Sequence, residues 1–341
     1  MLDTDLDLSA LTPFIEAYVP GFGQISTVSR AGSGQSNPTY VIAGADGHDL
    51  VLRRKPFGKL LPSAHAIDRE YRVMAALKGS GVPVPEMLAY CEDTSLIGAE
   101  FFLMSRAAGQ AHMDPRLKLF EPDQRRTVFT NMAKVLGRLH SVDLVSTGLQ
   151  DYGAPGHYFE RGVGRWIKQY RVSETATIPE LEELMDWLTA NIPADAGEVT
   201  LVHGDYRLDN FLINPETWEI EAVLDWELST TGHPLSDLGA VFMQWSLPPG
   251  QEGRGLMGVD RAALGIPSNE EFAATYLEAR GGADLRDLKY ATTFAFFRMA
   301  AILQGVVKRG LDGNASDPEG AAKMASYIPL FAAGGLMAAV G

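Results

Sequence analysis

The chain is poor in cysteine and in positive charge. Cys91 is the single cysteine among 341 residues, so no disulfide can form within the chain. This usage suits a reducing compartment, and we expect a cytoplasmic protein in which Cys91 is a small core or strand residue. Lys and Arg total 29 against 43 Asp and Glu, which gives a formal net charge of −14. Such a charge repels nucleic acid and anionic membranes, so we expect neither as a partner.

Long uninterrupted apolar runs are also missing. The most apolar region, residues 291–307, contains Arg298 and Gln304, and the apolar stretch 327–341 is only fifteen residues long and contains glycine. A membrane-spanning helix needs about 20 predominantly apolar residues, so we predict two buried helices instead. The first seven residues are acidic and lack the positive region of a signal peptide.

One stretch of the chain carries acids and an amide at a defined spacing. It reads His203-Gly-Asp-Tyr-Arg-Leu-Asp-Asn210, and Leu224-Asp-Trp226 follows the next apolar run. Phosphoryl transfer from ATP requires such groups, because one acid accepts the proton of the attacking hydroxyl while an amide and a second acid hold Mg²⁺ against the phosphates. We therefore predict Asp205 as the catalytic base and Asn210 and Asp225 as the metal ligands.

The spacing of the two predicted ligands has a structural explanation. Residues 211–213 and 220–224 read as short strands, and residues 214–217 between them read as a turn. A hairpin brings its two ends together, so Asn210 before the first strand and Asp225 after the second can share one ion. Mg²⁺ binds oxygen and takes only one or two carboxylates from a protein, which suits this pair.

These residues resemble the H-x-D-x-x-x-x-N catalytic loop and the D-F-G metal loop of protein kinases. The form His-Gly-Asp, with Asp-Trp in place of Asp-Phe-Gly, is closer to the aminoglycoside phosphotransferase and choline kinase superfamily. A more particular resemblance is to the phosphotransferase module fused to, or encoded beside, certain acyl-CoA dehydrogenases. The runs that carry it are 34–40, 51–65, 203–210, 223–230 and 232–237, and it covers roughly residues 27–243.

The resemblance implies an α+β, bilobal, protein-kinase-like fold with a small antiparallel-sheet N-lobe and a helix-rich C-lobe. It also implies ATP and Mg²⁺ as cofactors and a functional link to an acyl-CoA dehydrogenase. The length of 341 residues is sufficient for two lobes. We place the boundary after Ser105, with a nucleotide-binding lobe of residues 1–105 and a catalytic and substrate lobe of residues 106–341.

The order of the predicted elements agrees with this layout. Apolar residues at helical spacing predict an amphipathic helix over residues 8–18, which Pro20-Gly21 ends. The remaining predictions for the first lobe are strands at 40–42 and 50–52 around a hairpin at 44–47, a helix at 66–77 and a strand region at 96–104. For the second lobe they are a helix entered through Pro122, a helix near 180–188 and helices over much of 267–341.

Basic residues at the end of the 50–52 strand are predicted to face the nucleotide phosphates. Arg53 stands where the kinase pattern places a lysine, and Glu70 on the next helix would tether that cation. Arginine binds phosphate bidentately, so the role survives the change of residue. Strand alternation puts Arg53 and Lys55 on one face and Arg54 on the other, and which of the three contacts phosphate is left open. The alternative interpretation of Glu70 is a solvated helix charge.

Two further segments are predicted to contact the nucleotide. The glycine turn at residues 32–37 would cover the phosphates, although it lacks the third glycine of G-x-G-x-x-G and could be an ordinary turn. Residues 103–106 would form a hinge that reads the adenine edge through its backbone, with a methionine against the ring, or would merely end a buried strand. The contacts expected from the two segments are Gly34, Ser36, Asn37, Met104, Ser105 and Arg106.

The neighbours of the predicted base have roles of their own. His203 is expected to brace the loop, and the resemblance implies that Asp237 does so by accepting backbone N–H groups. Arg207 is predicted to stand near the transferred phosphoryl group or the acceptor, where it would stabilise negative charge. Asp209 reads as a bracing carboxylate, because the asparagine at plus five belongs to Asp205.

These patterns predict an ATP- and Mg²⁺-dependent phosphotransferase that acts on a hydroxyl group of a small molecule. The resemblance implies a hydroxyacyl-CoA or a hydroxy acid as the acceptor. The alternative enzyme is an aminoglycoside, macrolide or amino-alcohol (choline-like) kinase, which an acidic pocket over Asp205 with Arg207 turned away would favour. The alternative in which the protein is not an enzyme is a non-catalytic nucleotide-binding pseudokinase partner module. The sequence leaves the acceptor, the preference for ATP or GTP and the oligomeric state open.

Overall fold

A computed structural model describes residues 6–31, 37–45, 47–57, 65–250, 254–314 and 317–340. The chain forms two compact units, one of Met1–Ala111 with Asn210–Ser229 and the other of His112–Asp209 with Thr230–Gly341. The segment that carries Asn210 and Asp225 thus belongs to the first unit. The predicted contacts Gly34 and Ser36 lie outside the described residues.

The helices and strands follow in a mixed order along the chain. The first are α1 (Leu8–Tyr18), β1 (Ile25–Arg30), β2 (Thr39–Gly44), β3 (Asp49–Arg54), α2 (Ile67–Ala76), β4 (Met87–Cys91), β5 (Phe101–Ser105), α3 (Pro122–Leu139), α4 (Tyr158–Ser173) and α5 (Pro179–Ala190). They continue with β6 (Thr200–Val202), β7 (Phe211–Ile213), β8 (Ile220–Val223), β9 (Thr230–Gly232), α6 (Leu235–Trp245), α7 (Arg261–Leu264), α8 (Asn269–Arg280), α9 (Leu288–Leu311), α10 (Pro318–Met324) and α11 (Ile328–Val340).

The first unit is built on an antiparallel five-stranded sheet in the order β1-β2-β3-β5-β4. Alternate residues of its central strands, such as Ile42 and Leu52, are fully buried and pack with Leu11 and Ile15 of α1. Burial of each such side chain contributes about 2 kcal/mol. The opposite face of the same strands carries Arg53, so the alternation that builds the core also presents this cation.

The second unit is helical, apart from the two-stranded sheet of β6 and β9. Its long helix α9 packs against α4, α5, α6, α10 and α11, while α3 packs against α8. The strand β6 ends at Val202, directly before the predicted catalytic loop, and antiparallel pairing with β9 fixes its position.

Most of the predicted elements are confirmed. The helix α1, the β2–β3 hairpin, α2, α3, α5 and the β7–β8 hairpin all lie where the patterns indicated. One boundary was wrong, because the strand predicted over 96–104 begins only at Phe101. Before it the chain turns, with the Gly98 N–H bonded to the Thr94 carbonyl at 2.9 Å and Gly98 at φ +83°. The strand β4, which contains the buried Cys91, was not predicted as an element.

Two helical segments, Leu288–Leu311 and Pro318–Val340, are long and apolar enough to span a membrane by length and composition. The most apolar part of the first is 67% buried inside the protein, as expected of a core helix. In the second segment, 28% of the most apolar part is buried. This segment is also interrupted between α10 and α11. The prediction of a buried helix at 327–341 therefore holds for one face only: Phe331 is buried while Met337 is 73% exposed.

Candidate active site

In the first unit, the hairpin of β7 and β8 brings the two predicted metal ligands to one end. Phe211 pairs with Val223, and the Leu224 N–H donates to the Asn210 carbonyl at 2.8 Å. Asp225 follows with a left-handed backbone at φ 64° and ψ 60°, a conformation that Asp tolerates better than most residues. This turn takes the chain out of the strand at the predicted metal ligand.

Buried contacts hold the hairpin in place. The Trp226 side chain is fully buried, and its indole N–H donates to the Val223 carbonyl at 2.9 Å. The Val223 N–H in turn donates to the Pro83 carbonyl at 2.9 Å. The strands are only three and four residues long, so these contacts outside the hairpin stabilise a pairing that would be marginal by itself.

The donors at this end fit a hard divalent cation. Asn210 offers an amide oxygen and Asp225 a carboxylate whose side chain is 38% exposed. Within the part of the chain that the structure describes, no three His, Cys, Asp or Glu side chains group as a metal site. A cation held by this pair would therefore take its remaining ligands from water and phosphate oxygens, as Mg²⁺ commonly does.

Arg53 joins this end of the hairpin to helix α2. Its Nε lies 2.9 Å from Glu70 Oε2, and its Nη2 lies 3.5 Å from Asp225 Oδ1. The predicted tether between Arg53 and Glu70 is thus present. The alternative that Glu70 is a solvated helix charge is excluded, because the residue is 1% exposed.

The other two cations of the basic segment contact different groups. Arg54 is buried, donates to the Tyr40 hydroxyl at 3.1 Å and lies 3.7 Å from the ring centre of Phe57. Lys55 forms an ion pair of 2.8 Å with Glu100. Of the three cations, Arg53 is therefore the one placed beside a predicted metal ligand.

Glu70 lies in a small network of polar groups. The Asn37 amide donates to Glu70 Oε1 at 2.8 Å, and His65 Nδ1 lies 3.1 Å from Asn37 Oδ1. Asn37 was predicted to contact phosphate, and in the structure its amide orients Glu70. His65 was missed by the sequence analysis, although it ends the run 51–65 that carries the family resemblance.

Burial raises the pKa of Glu70 to about 7, since a buried carboxylate loses its hydration. The Arg53 guanidinium opposes this shift, whereas the negative charges of Asp225 and Glu227 add to it. A cation bound at Asp225 would offset that repulsion and favour ionised Glu70. The network thus couples the charge state of a buried carboxylate to the charge at the hairpin.

The three predicted hinge residues differ in the sheet face they occupy and in their partners. Met104 pairs with Val51, and Phe102 pairs with Arg53, so Met104 shares the sheet face of Arg53. Ser105 is paired with Leu50 on the other face, and its N–H donates to the Glu86 carbonyl at 2.9 Å. Arg106 forms an ion pair with Asp49. Met104 is therefore the hinge residue best placed to contact a nucleotide on the face of Arg53.

In the second unit, the predicted catalytic loop is held by a buried carboxylate. Asp237, near the start of α6, accepts the N–H of His203 at 2.7 Å and the N–H of Gly204 at 2.8 Å. The Asp205 N–H donates to His203 Nδ1 at 3.2 Å, and His203 is fully buried. The bracing roles predicted for His203 and Asp237 are confirmed.

The bracing carboxylate has a histidine partner. His140 Nε2 lies 3.3 Å from Asp237 Oδ2, and its Nδ1 lies 3.0 Å from the Tyr276 hydroxyl. Burial alone would raise the pKa of Asp237, but the hydrogen bonds from His140 and from the His203 N–H hold it below its ordinary value. Burial lowers the pKa of His140, so the folded protein favours its neutral form.

Arg298 supports the same loop from α9. Its Nη2 donates to the Gly204 carbonyl at 2.9 Å, directly before the predicted base. In the sequence, Arg298 stands out only as an interruption of the apolar region 291–307. A charge within an apolar stretch of a helix requires a polar partner when it is buried, which is the signal that could have identified this role.

Arg207 lies against the predicted base. Its Nε is 2.9 Å from Asp205 Oδ1, and its Nη2 is 3.5 Å from Asp209 Oδ2. Asp209 also pairs with Arg254, at 2.5 Å from Nη1, and Arg254 was not among the predicted site residues. Arg207 is thus turned toward Asp205, unlike the arrangement expected for a kinase of polycationic acceptors.

Comparison with known proteins relates the chain to acyl-CoA dehydrogenase family members 10 and 11. It is 49% identical over 284 residues to mouse acyl-CoA dehydrogenase family member 10, which covers 83% of this chain and 26% of that protein. It is 41% identical over 317 residues to chicken acyl-CoA dehydrogenase family member 11, which covers 91% of this chain and 40% of that protein. The chain therefore spans between about a quarter and two fifths of the length of these relatives.

Solved structures give the same fold. A candidate aminoglycoside phosphotransferase from Ralstonia eutropha is 42% identical, with a TM-score of 0.89 and 98% of both chains covered. A thermostable aminoglycoside phosphotransferase mutant bound to ADP and hygromycin B has a TM-score of 0.60 at 17% identity, with 97% of this chain and 98% of that chain covered. The latter likeness shows the fold alone, which is the predicted α+β kinase-like fold.

The family follows from the extent of the sequence match. Residues 27–290, which include most of the sheet of the first unit and the predicted catalytic loop of the second, match the phosphotransferase enzyme family. That range contains every site residue discussed above except Arg298. The chain belongs to the phosphotransferase enzyme family and has its kinase-like fold.

Proposed function

We propose that this phosphotransferase transfers the γ-phosphoryl group of ATP to a hydroxyl group of a small molecule, and that the acceptor is a hydroxyacyl-CoA or a hydroxy acid. The observation that carries the proposal is the position of Arg53 against both Glu70 and Asp225. A tethered guanidinium beside a hard-oxygen ligand pair suits a nucleotide polyphosphate with its cation.

Within this proposal, Arg53 binds the phosphates and Glu70 keeps its side chain in place. Asn210 and Asp225 would hold Mg²⁺, which when bound neutralises phosphate charge and so favours attack at phosphorus. Met104 provides an apolar contact for the adenine ring on the sheet face of Arg53. ATP is the substrate that these groups of the first unit accommodate together.

The chemical step depends on Asp205. The acceptor oxygen attacks the γ-phosphorus while the bond between that phosphorus and the ADP oxygen breaks, and the hydroxyl proton passes to the Asp205 carboxylate. The transition state of such transfers is loose, so positioning of the carboxylate matters more than its basicity. Asp237 and Arg298 supply this positioning, because they fix the backbone at residues 203 and 204.

The acceptor class is supported by charge and by the relatives. Arg207 pairs with the base at 2.9 Å, so a polycationic acceptor would meet a positive charge at the reaction centre, whereas an anionic acceptor would be attracted. The relatives named acyl-CoA dehydrogenase family members point to acyl-CoA chemistry and to a functional link with a dehydrogenase. The Ralstonia relative favours the aminoglycoside alternative, so that class belongs in the test.

A single screen tests the proposal. The protein is incubated with MgATP and a panel of hydroxy acids, their CoA esters, amino alcohols, macrolides and aminoglycosides, and each product is examined for the mass gain of one phosphoryl group. We expect transfer to a hydroxyacyl-CoA or a hydroxy acid. Transfer confined to aminoglycosides or amino alcohols would contradict the acceptor class, and ATP binding without transfer to any member would favour a non-catalytic module.

A further inference from the structure

A narrow pocket of the second unit lies beside the predicted catalytic loop. Its wall combines apolar side chains with two arginines and one carboxylate. The principal lining residues are Met113, Met132, Trp245, Arg207, Asp209 and Arg254. Arg207 and Asp209 belong to the loop that carries the predicted base, so a molecule in this pocket would contact that loop.

The backbone conformation at Arg254 is fixed by hydrogen bonds and close packing. The residue has a left-handed backbone at φ 50°, which costs a non-glycine residue about 1 kcal/mol. Its N–H donates to the Gly250 carbonyl at 2.9 Å, and its carbonyl accepts from the Gln244 amide at 3.2 Å. The next residue, Gly255, lies so close to the Leu247 carbonyl that a Cβ would meet its oxygen at 1.9 Å. The backbone that orients the Arg254 side chain is therefore strained at residue 254 and closely packed at residue 255.

The charged groups of the pocket form a chain that ends at the base. Arg254 Nη1 lies 2.5 Å from Asp209 Oδ2, Arg207 Nη2 lies 3.5 Å from the same oxygen, and Arg207 Nε contacts Asp205. Two guanidinium groups therefore share one carboxylate oxygen of a side chain that is 10% exposed. The two guanidinium groups and the two carboxylates of this chain cancel in formal charge, in contrast to the strongly negative net charge of the whole protein.

We propose that Arg254 is a specificity-determining residue that, together with Arg207, binds an anionic group of the acceptor. The group is a carboxylate or a phosphate on the molecule that carries the reacting hydroxyl. A guanidinium has five N–H donors in a planar fork, so it can serve Asp209 and a ligand anion at once. This inference rests on the proposed function, because it assigns the acceptor to the pocket beside Asp205.

The alternative role of Arg254 is structural, namely an ion pair that ties the segment around residue 254 to Asp209. The two roles differ in what they discriminate. A purely structural ion pair affects charged and neutral acceptors alike, whereas an anion-binding arginine affects only acceptors that carry the anion. Matched probes that share one hydroxyl and differ in one charged group therefore separate them.

The experiment uses the full chain and two probe pairs. The first pair is 4-hydroxybutyrate and its methyl ester, and the second is 4-hydroxybutyryl-CoA and the same acyl group on N-acetylcysteamine. Steady-state kinetics are measured for the wild type, Arg254→Ala and Arg254→Lys. Equilibrium binding of each probe is measured by calorimetry with a non-hydrolysable ATP analogue and Mg²⁺. Arg286→Ala is the matched control, because that arginine is 78% exposed and pairs with Asp284.

We expect the wild type to prefer the anionic member of at least one pair by about tenfold or more, the range of a charge-assisted hydrogen bond. Arg254→Ala should raise KM and Kd for that member about tenfold, with kcat, the neutral member and the KM of MgATP changed less than about twofold. Arg254→Lys should give intermediate values, and Arg286→Ala should match the wild type. A response confined to the first pair indicates recognition of a carboxylate, and a response confined to the second indicates recognition of the CoA phosphates.

An equal effect of Arg254→Ala on both members of each pair, or no effect on either, would overturn the inference and leave the proposed function intact. Absence of transfer from the wild type to every probe would instead count against the proposed acceptor class. The binding comparison then still decides the role of Arg254: loss of affinity only for anionic probes supports it, and equal affinity of wild type and variant refutes it.

Discussion

The predicted nucleotide groups of the first unit and the catalytic loop of the second are held by different kinds of contact. In the first unit, side chains hold side chains: Arg53 contacts Glu70 and Asp225, and Asn37 contacts Glu70. In the second, a buried carboxylate holds main-chain N–H groups at residues 203 and 204. A partly exposed ion pair such as Arg53–Asp225 can exchange partners when a charged ligand arrives, whereas hydrogen bonds from main-chain N–H groups to the buried Asp237 carboxylate are shielded from water. We therefore expect the groups proposed to bind the nucleotide to adapt to it, and the loop of the proposed base to stay rigid.

The largest expected effect separates the two regions by function. Asp205→Ala should lower kcat by about 10³-fold or more, because the proton acceptor is lost, while the Kd of MgATP stays nearly unchanged. Asp225→Ala should weaken Mg²⁺-dependent nucleotide binding as well as turnover. Both are measured by steady-state kinetics with the acceptor found in the screen and by calorimetry with nucleotide. Wild-type kcat in Asp205→Ala would refute the assignment of the base.

A change to the buried brace tests the rigidity of the loop. Asp237→Ala leaves the N–H groups of His203 and Gly204 and the ring of His140 without their acceptor, and we expect a loss of about 3 kcal/mol in the free energy of unfolding. We also expect kcat to fall about 10²-fold through misplacement of Asp205. Denaturant titration and kinetics of the folded variant measure the two effects. Asp284→Ala, which removes a half-exposed carboxylate of the same unit, is the control and should change little.

The cations of the first unit provide a sharper comparison within one strand. Arg53→Ala should raise the KM of MgATP about tenfold or more, because the phosphates lose a tethered cation. Lys55→Ala should leave that KM nearly unchanged, since Lys55 pairs with Glu100. Arg54→Ala should reduce stability without altering the KM, because Arg54 packs between Tyr40 and Phe57. A larger KM effect in Lys55→Ala than in Arg53→Ala would show that the wrong cation was assigned.

The smallest expected effect is the pH dependence of the second unit. Burial lowers the pKa of His140 below its ordinary 6.5, so the unfolded chain binds a proton more readily than the folded chain. The contribution of this group to stability is therefore complete above about pH 6.5 and is lost as the pH falls below it, at up to about 1.4 kcal/mol per pH unit. Asp237, whose pKa is also lowered, extends the loss below pH 3.8.

Denaturant titrations between pH 8 and pH 5 measure this dependence. His140→Gln should flatten the slope of unfolding free energy against pH relative to the wild type. His157→Gln, which changes a histidine whose side chain is 65% exposed, should leave the slope as it is. A slope in His140→Gln equal to that of the wild type would show that other groups produce the acid sensitivity.

Local patterns in the sequence predicted the parts of the site that local structure builds. Asn210 and Asp225 were joined correctly by a hairpin because apolar runs flank a turn of asparagine and proline. His203 and Asp237 were given bracing roles, although the role of Asp237 came from the resemblance rather than from spacing. Alternation along β3 was sufficient to separate Arg53 from Arg54. These features depend on periods of two and on turn chemistry, both of which are visible within a few residues.

The contacts that were missed connect distant parts of the chain. Arg254 is 45 residues from Asp209 in sequence, and its direction depends on a left-handed backbone and on the close packing of Gly255. His140 is 97 residues from Asp237. No local period reports such pairings, because tertiary packing decides them. The misplaced start of β5 has a more local cause, since the apolar Leu96 and Ile97 precede a glycine turn and only look like strand.

The division of the chain between its units has a practical consequence for protein engineering. A truncated protein ending at residue 111 would lack the twenty residues 210–229, and with them both groups proposed to bind the metal. It would also lose the reciprocal bonds between Gln110 and Ile213 and the fully buried side chain of Trp226. An autonomous nucleotide-binding fragment would have to join position 111 to position 210 with a short linker rather than simply truncate the gene.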